Sequence, residues 1–291
     1  VEGVANEDGT VTYTYTLKDG LKWSDGKAMS AKDFEFAWKR AASAELGADY
    51  GYMFEVIKGY NDGAIDVTAT DDKTLVVTLN NYVAYWNELL AFPTYFPVRE
   101  DVVAKEGWAT KPETYIGNGA YKVTEFSQTQ MVLEKNENYF DADKVVSDKL
   151  VFAFNDDDTS LLANYKNGDY LFIDSVPNNE IKTLSKDYPN EYFVEGQLGT
   201  YYVSMNVNDK ALKDFTEEER VKIRKALGLV IDRNYVVEEI GQAGQVPAAG
   251  FVAMGLTEPD GTEYISKNGP KGDGAGYFSV KSEDYKANCD E

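Results

Sequence analysis

The chain has 291 residues, of which 43% are hydrophobic, and its 50 acidic and 29 basic residues give a formal charge of −21. This length and apolar content suffice for one substantial core or for two or three smaller domains. The negative charge repels phosphate backbones and anionic lipid surfaces, so nucleic acid is not expected as a partner.

Two residue types that carry much of enzyme chemistry are scarce. The sequence contains no histidine, and its one cysteine is Cys289. Ser-His-Asp and Cys-His mechanisms are therefore excluded within this chain, and no intramolecular disulfide can form. We accordingly predict neither a catalytic residue, nor a cofactor, nor a metal site.

The ends of the chain say little about its location. No window approaches the run of about 18 apolar residues that a membrane helix needs. The first residues, VEGVANEDGT, have neither a basic nor an apolar leader region, and the chain begins without Met, as a processed product would. An export signal removed earlier is therefore compatible with this sequence.

The first hundred residues predict strands and helices with one buried face. Thr alternates with Val, Tyr and Leu at 10–17, which is typical of a half-buried strand, and 71–79 predicts a second strand. Apolar residues at helical spacing follow Ser30, with Asp33 at the distance of a capping box, so 30–43 predicts an amphipathic helix. A short helix is expected over 83–93.

The middle of the chain predicts a hairpin and then an α/β unit. Residues 117–126 and 131–136 are two strand-like runs separated by polar residues. The apolar run at 149–156 is expected to form a strand buried on both faces. A helix over 159–167, ended by Gly168, and a strand at 170–174 would then complete a crossover unit.

The amino-acid composition changes within the last third of the chain. A strand is predicted at 200–207, and 216–240 is the clearest helical region, with Thr216 and Glu219 forming a capping box. Beyond about residue 241 the sequence is rich in Gly, Pro, Asp and Asn. Because a loop of roughly 40 residues is improbable in a complete domain, we expect the last domain to continue past this sequence.

Acidic runs and aromatic residues are the remaining candidates for chemistry. The runs at 71–72, 156–158 and 217–219 permit a carboxylate-pair glycosidase, but in so acidic a chain we expect them to form solvated surface. Most aromatic residues have the spacing of core residues. The exceptions, for which ligand contact is predicted more strongly, are Tyr50, Tyr52, Tyr201 and Tyr202.

The order of several motifs resembles the extracellular solute-binding protein family 5, the oligopeptide- and dipeptide-binding components of ABC importers. The motifs are LKDGLKWSDGKAMSAKDFEFAWKR, GNGAYKVTEF, LEKNENYF, NGDYLFIDSVP and RKALGLVIDRNYVV, and they span essentially the whole chain. The resemblance implies an α/β fold of the periplasmic-binding-protein type (type II), bilobal, with mixed sheets and an incomplete second lobe. Trp23 of KWSDG then belongs to a structural motif away from most of the cleft.

The resemblance also implies a domain division and a set of ligand-binding residues. Residues 1–98 resemble domain II, 99–198 the central part of domain I, and 199–291 the beginning of domain III, with a hinge near 198–200. The residues that correspond to ligand-binding positions are Tyr50, Ile173, Asp174, Ser175 and Tyr202. The family's anchor for the peptide amino terminus lies beyond residue 291. Because one lobe is incomplete, we expect these 291 residues to bind peptides weakly or not at all.

The function implied by the resemblance is peptide capture for uptake, without catalysis. The implied partners are a peptide ligand and the permease subunits of an ABC transporter, and the protein is expected to be a monomer located outside the cytoplasmic membrane, periplasmic or lipid-anchored. Alternatives are an oligosaccharide or metal-chelate receptor of the same family, or a secreted carboxylate-pair glycosidase.

Overall fold

The computed structural model describes residues 1–269 and 276–291. Residues 270–275, which belong to the predicted Gly-rich loop, lie outside the described residues. The chain divides into two compact units, residues 1–154 and 155–291. Each unit is described by itself.

The first unit opens with a four-stranded antiparallel sheet in the order β1-β2-β4-β3. Its longest pairing joins β2 and β4, from Val11 opposite Leu79 to Thr16 opposite Thr74. The predicted strands at 10–17 and 71–79 are thereby confirmed. The strands are β1 (Val4–Ala5), β2 (Val11–Thr16), β3 (Val67–Ala69) and β4 (Thr74–Leu79).

Alternation along these strands produces one buried face. Val11 and Tyr13 of β2 are buried, as are Leu75, Val77 and Leu79 of β4, while the intervening residues are more accessible. Successive side chains of a strand point to opposite faces, so this alternation directs every second residue into the core.

Helix α1 (Ala31–Ala42) packs against the buried face of the sheet. Its start is fixed by Asp33, whose carboxylate accepts a hydrogen bond from the Ser30 backbone N–H at 2.8 Å, as the sequence predicted. Trp38 of α1 is buried and lies edge-on to Tyr95, with 5.2 Å between ring centroids. This arrangement places large aromatic side chains at the centre of the first core.

A second, three-stranded antiparallel sheet follows in the order β5-β6-β7. It confirms the predicted hairpin, but not a β7 buried on both faces, since Val151 is 57% exposed. The reason is position: β7 is an edge strand that pairs only with β6 among the described residues. The elements of this part are α2 (Trp86–Leu89), α3 (Glu100–Val103), β5 (Tyr121–Phe126), β6 (Gln130–Lys135) and β7 (Lys149–Ala153).

The second unit is helical. α4 begins behind Asp157, whose carboxylate accepts from the Ser160 N–H at 2.6 Å, and ends at Gly168 with φ of 82°, as predicted. Its helices are α4 (Asp158–Asn167), α5 (Ile181–Asp187), α6 (Glu217–Leu229), α7 (Arg233–Tyr235), a π-helix (Val236–Gly241), α8 (Tyr264–Lys267) and α9 (Tyr285–Asp290).

Two predicted strands, at 170–174 and 200–207, are wrong. Both segments are irregular, and no strand among the described residues of this unit pairs with them. A strand is stable only when its backbone groups find partners, which periodicity alone does not supply. The α/β crossover unit expected over 149–174 is therefore absent from the described residues, where every strand pairing is antiparallel.

The long predicted helix at 216–240 is interrupted. Its beginning is correct, because Thr216 and Glu219 form the expected capping box in front of α6. α6 ends at Leu229, and Asp232 then accepts a hydrogen bond from the Tyr235 N–H and starts a new helix. A residue that caps a helix takes an extended conformation, so it separates the two helices.

Candidate ligand-binding site

Tyr50 lies at the surface of the first unit in an aromatic cluster. Its side chain is 51% exposed, and its ring centroid is 5.0 Å from that of Phe92 and 6.2 Å from that of Tyr52. Phe92 is half-buried and packs against the first core. The exposed tyrosine rings therefore rest on a rigid support, an arrangement suited to stacking against an apolar group.

The backbone beside Tyr50 is fixed by the core below it. Tyr50 directly precedes a 3-10 helix, Gly51–Val56, whose Phe54 is fully buried. The Tyr95 hydroxyl donates a hydrogen bond to the Met53 carbonyl at 2.7 Å. A Cβ added to Gly51 would come within 3.0 Å of the Ala41 carbonyl oxygen, so little room exists there for a side chain. The backbone beside Tyr50 is therefore held in place by the core.

Ile173, Asp174 and Ser175 form an exposed loop of the second unit. The Ser175 hydroxyl donates to the Asp158 carboxylate at 2.7 Å, which ties the loop to the first turn of α4. Within the described residues, the backbone N–H and C=O groups of these three residues make no hydrogen bond. Phe172, just before the loop, is 80% exposed. The loop therefore presents unpaired backbone groups beside apolar surface.

Tyr202 also belongs to the second unit. It is 59% exposed, and its ring lies edge-on to Phe251 with 4.9 Å between centroids. Tyr201 is fully exposed. Within the described residues no hydrogen bond joins Tyr202 to the 173–175 loop.

Sequence reasoning missed two aromatic residues, Phe92 and Phe251. The sequence predicts a short helix around Phe92 and places Phe251 in the Gly-rich segment beyond residue 241. Each packs against a tyrosine that the sequence did select, Tyr50 and Tyr202 respectively. No local pattern signals either contact, because both partners are distant in sequence.

The acidic runs have structural partners. Asp71 accepts from the Lys73 and Thr74 N–H groups, and the pKa of its carboxyl is lowered chiefly by the bond from Lys73. The backbone N–H of Thr216 likewise lowers the pKa of Glu219. A glycosidase's general acid requires a raised pKa, the opposite of what these bonds produce.

The tryptophan of KWSDG is structural, as predicted. Trp23 is fully buried, and its indole N–H donates to the Asp33 carboxylate at 3.3 Å. The adjacent Asp25 carboxylate accepts two bonds from the Arg99 guanidinium, at 3.0 and 2.8 Å. The motif therefore joins the start of α1 to the segment that follows residue 98.

Among the described residues, no group of three or more His, Cys, Asp or Glu side chains is placed to hold a metal ion. No helix in residues 1–269 or 276–291 is long and apolar enough to cross a membrane.

Comparison with known proteins defines the class. The model of the family described as bacterial extracellular solute-binding proteins, family 5 (middle), matches residues 2–271. The α/β fold class of these proteins, predicted from the sequence, is confirmed. The chain belongs to family 5 of the bacterial extracellular solute-binding proteins.

Individual relatives make the likeness specific. The chain is 34% identical to the dipeptide-binding protein DppE of Bacillus subtilis, over 89% of this chain and 48% of the relative. It is 35% identical to the oligopeptide-binding protein OppA of the same organism, over 86% of this chain and 48% of the relative. The structure of Burkholderia pseudomallei OppA superposes with a TM-score of 0.78 at 29% identity, covering 88% of this chain and 51% of that one. The chain thus spans about half the length of the relatives it matches.

Proposed function

We propose that this chain forms part of a receptor that captures peptides for an ABC importer. Family membership and the names of its relatives, dipeptide- and oligopeptide-binding proteins, support the proposal. The structural observation that carries it is the 173–175 loop, whose backbone groups are unpaired within the described residues.

The proposed mechanism is backbone pairing. An extended peptide would add alongside Ile173, Asp174 and Ser175, exchanging hydrogen bonds between main chains. Main-chain bonds give affinity that depends little on side-chain identity, which is what a general peptide receptor requires. The bonds would also satisfy N–H and C=O groups that are otherwise left to water.

Aromatic surfaces would supply contacts with side chains. Tyr50, supported by Phe92, and Tyr202, supported by Phe251, each offer an exposed ring held by a second ring. Such rings stack on apolar or aromatic side chains without selecting one sequence. We assign both tyrosines to the ligand site on this basis.

The domain assignment, the cellular location and the monomeric state form part of the same proposal. Residues 1–98 would correspond to domain II, 99–198 to part of domain I, and 199–291 to the start of domain III, with a hinge near 198–200 and closure on the ligand. The receptor would act as a monomer outside the cytoplasmic membrane and deliver peptide to permease subunits, without turnover.

A titration followed by amide NMR tests the ligand class. Millimolar tri-alanine is expected to give saturable shifts for the amides of 173–175, whereas maltotriose and a nickel chelate are not. Shifts at the same amides with maltotriose, but not with the peptide, would replace the peptide receptor with a sugar receptor. The peptide titration is repeated with Tyr50→Ala, which alters a tyrosine assigned to the site. Tyr115→Ala, at an exposed tyrosine that is not assigned to the site, is the matched control.

A further inference from the structure

A cavity lies in the first unit, and none of the candidate ligand-binding residues lines it. Its volume is about 270 Å³. That is close to the lower limit of small-molecule pockets, roughly 300 Å³, so a small ligand is implied. It lies beside the end of β2 and the start of the KWSDG motif, and is lined by Thr16, Leu17, Lys18, Leu21, Lys22, Met29, Phe34, Asn118 and Phe140.

The charge of this cavity is opposite to that of the protein. Two lysines, Lys18 and Lys22, line it, and its lining includes no carboxylate. Neither lysine forms a salt bridge within the part of the chain that the structure describes. In a chain of net charge −21, two lysines without salt bridges in one cavity lining favour an anion there.

One of the two lysines is held in place. The Lys18 ammonium lies 4.4 Å from the centroid of the Phe140 ring, within the range of a cation–π contact. This contact keeps the charge at the cavity and leaves the donors of the ammonium free for an anion.

The rest of the lining is mostly apolar. Leu17, Leu21, Met29 and Phe34 are half-buried, and Phe34 also packs against the first core. The Asn118 side-chain amide has a sulfur atom, Met29 Sδ at 4.0 Å, as its hydrogen-bond acceptor. A thioether is a weak acceptor, so this amide can still donate to a stronger one.

We propose that this cavity binds a small amphipathic carboxylate, a compound with one aryl ring or short acyl chain and one carboxylate. The apolar lining would hold the hydrocarbon part, and Lys18 and Lys22 would hold the carboxylate. Because exposed ion pairs contribute little, the affinity is expected to be on the order of millimolar.

Methionine methyl NMR of the 291-residue protein tests the site. The chain has five methionines, and the Met29 signal is assigned by its loss in Met29→Leu. 3-Phenylpropanoate is expected to shift the Met29 methyl saturably and to leave the Met53 and Met131 methyls in place. The neutral amide 3-phenylpropanamide, and propanoate without the ring, are both expected to bind more weakly.

Matched charge variants distinguish a direct contribution of Lys18 and Lys22 to binding from a general effect of net charge. Lys18→Gln/Lys22→Gln is expected to weaken binding by roughly three- to tenfold. Lys105→Gln/Lys111→Gln changes the net charge equally, at exposed lysines outside the cavity, and is expected to leave binding unchanged. Near-ultraviolet circular dichroism of both variants verifies the fold.

Four results would overturn the proposal. They are the absence of a saturable Met29 shift, equal affinity for the amide, equal loss in both double variants, and an equal response to inorganic phosphate. The last would show an anion site without an apolar part. Peptide binding at 173–175 does not enter this test, so the two proposals fail independently.

Discussion

At the scale of single residues, the KWSDG motif stabilises the first unit through Trp23. The side chain is completely buried, and its N–H bonds to the carboxylate that also caps α1. The resemblance of KWSDG to a structural motif of the family predicts this assignment. What it could not show is that Asp33 serves both the helix and the indole.

Replacing Trp23 with Phe is therefore expected to destabilise the protein. The change removes one hydrogen bond and leaves a cavity, which together cost about 1–3 kcal/mol in the free energy of unfolding. Urea denaturation followed by far-ultraviolet circular dichroism measures the loss. Trp108→Phe is the control, since Trp108 is only half-buried and stacks on Tyr115. Equal losses in the two variants would disprove a special position for Trp23.

A second prediction concerns Asp101. The hydrogen bond from Lys27, followed by that from Arg99, lowers the pKa of its carboxyl from 3.8 to about 2. A group whose pKa is lowered by folding adds stability above its unfolded pKa, and that stability is lost as the pH falls toward the folded pKa. The contribution of Asp101 should thus be complete at about pH 5 and disappear near pH 2.

Asp101→Asn isolates this contribution. The difference in denaturation midpoint between the native protein and the variant is expected to be largest near pH 5 and to shrink as the pH falls through about 4 to 2. A difference that stays constant over this range would show that the carboxylate's charge contributes nothing.

At the scale of elements, the sequence predicts best what is local. The alternation of β2 and β4 and the caps of α1, α4 and α6 all depend on residues within a few positions of one another, and all are confirmed. The incorrect strand predictions share one cause. Exposure of β7, and the lack of strands at 170–174 and 200–207, depend on which distant segment pairs with them.

In the candidate site, too, local features could be predicted from the sequence and tertiary contacts could not. The exposure of Tyr50 could be predicted, because it lies in a Gly-flanked loop, whereas Tyr202 is selected as part of a predicted strand that does not form. Their supporting rings, Phe92 and Phe251, depend on tertiary packing and could not. The ligand contacts of all five selected residues remain predictions.

Amide hydrogen exchange tests the assignment of elements. Residues of β2 and β4 are expected to exchange slowly, since their N–H groups lie in a central pairing over a buried face. Residues 170–175 and 200–203 should exchange orders of magnitude faster, because they lie in no strand. Protection of these two segments equal to that of β2 would restore the strands predicted from sequence.

At the scale of the whole molecule, the two units differ in how much apolar surface they bury. Large aromatic residues fill the first core, whereas the buried hydrophobic residues described in the second unit are Leu161, Leu162, Ile181, Leu184 and Leu229. Free energy from apolar burial grows with the area removed from water. The second unit should therefore be the less stable one.

Unfolding is accordingly expected to occur in two steps. All four tryptophans lie in the first unit, so their fluorescence reports on it alone, while circular dichroism at 222 nm also reports on the helices of the second. In urea the circular dichroism signal should begin to fall at a lower concentration than the fluorescence changes. Coincident transitions would indicate one cooperative unit instead.

The central claim is that a peptide pairs its backbone with residues 173–175. It is tested most directly by measuring exchange of the Ile173, Asp174 and Ser175 amides with and without saturating tri-alanine. Bonding to a peptide is expected to slow this exchange by roughly tenfold or more. Unchanged exchange at these three amides, while amides elsewhere become protected, would contradict the claim.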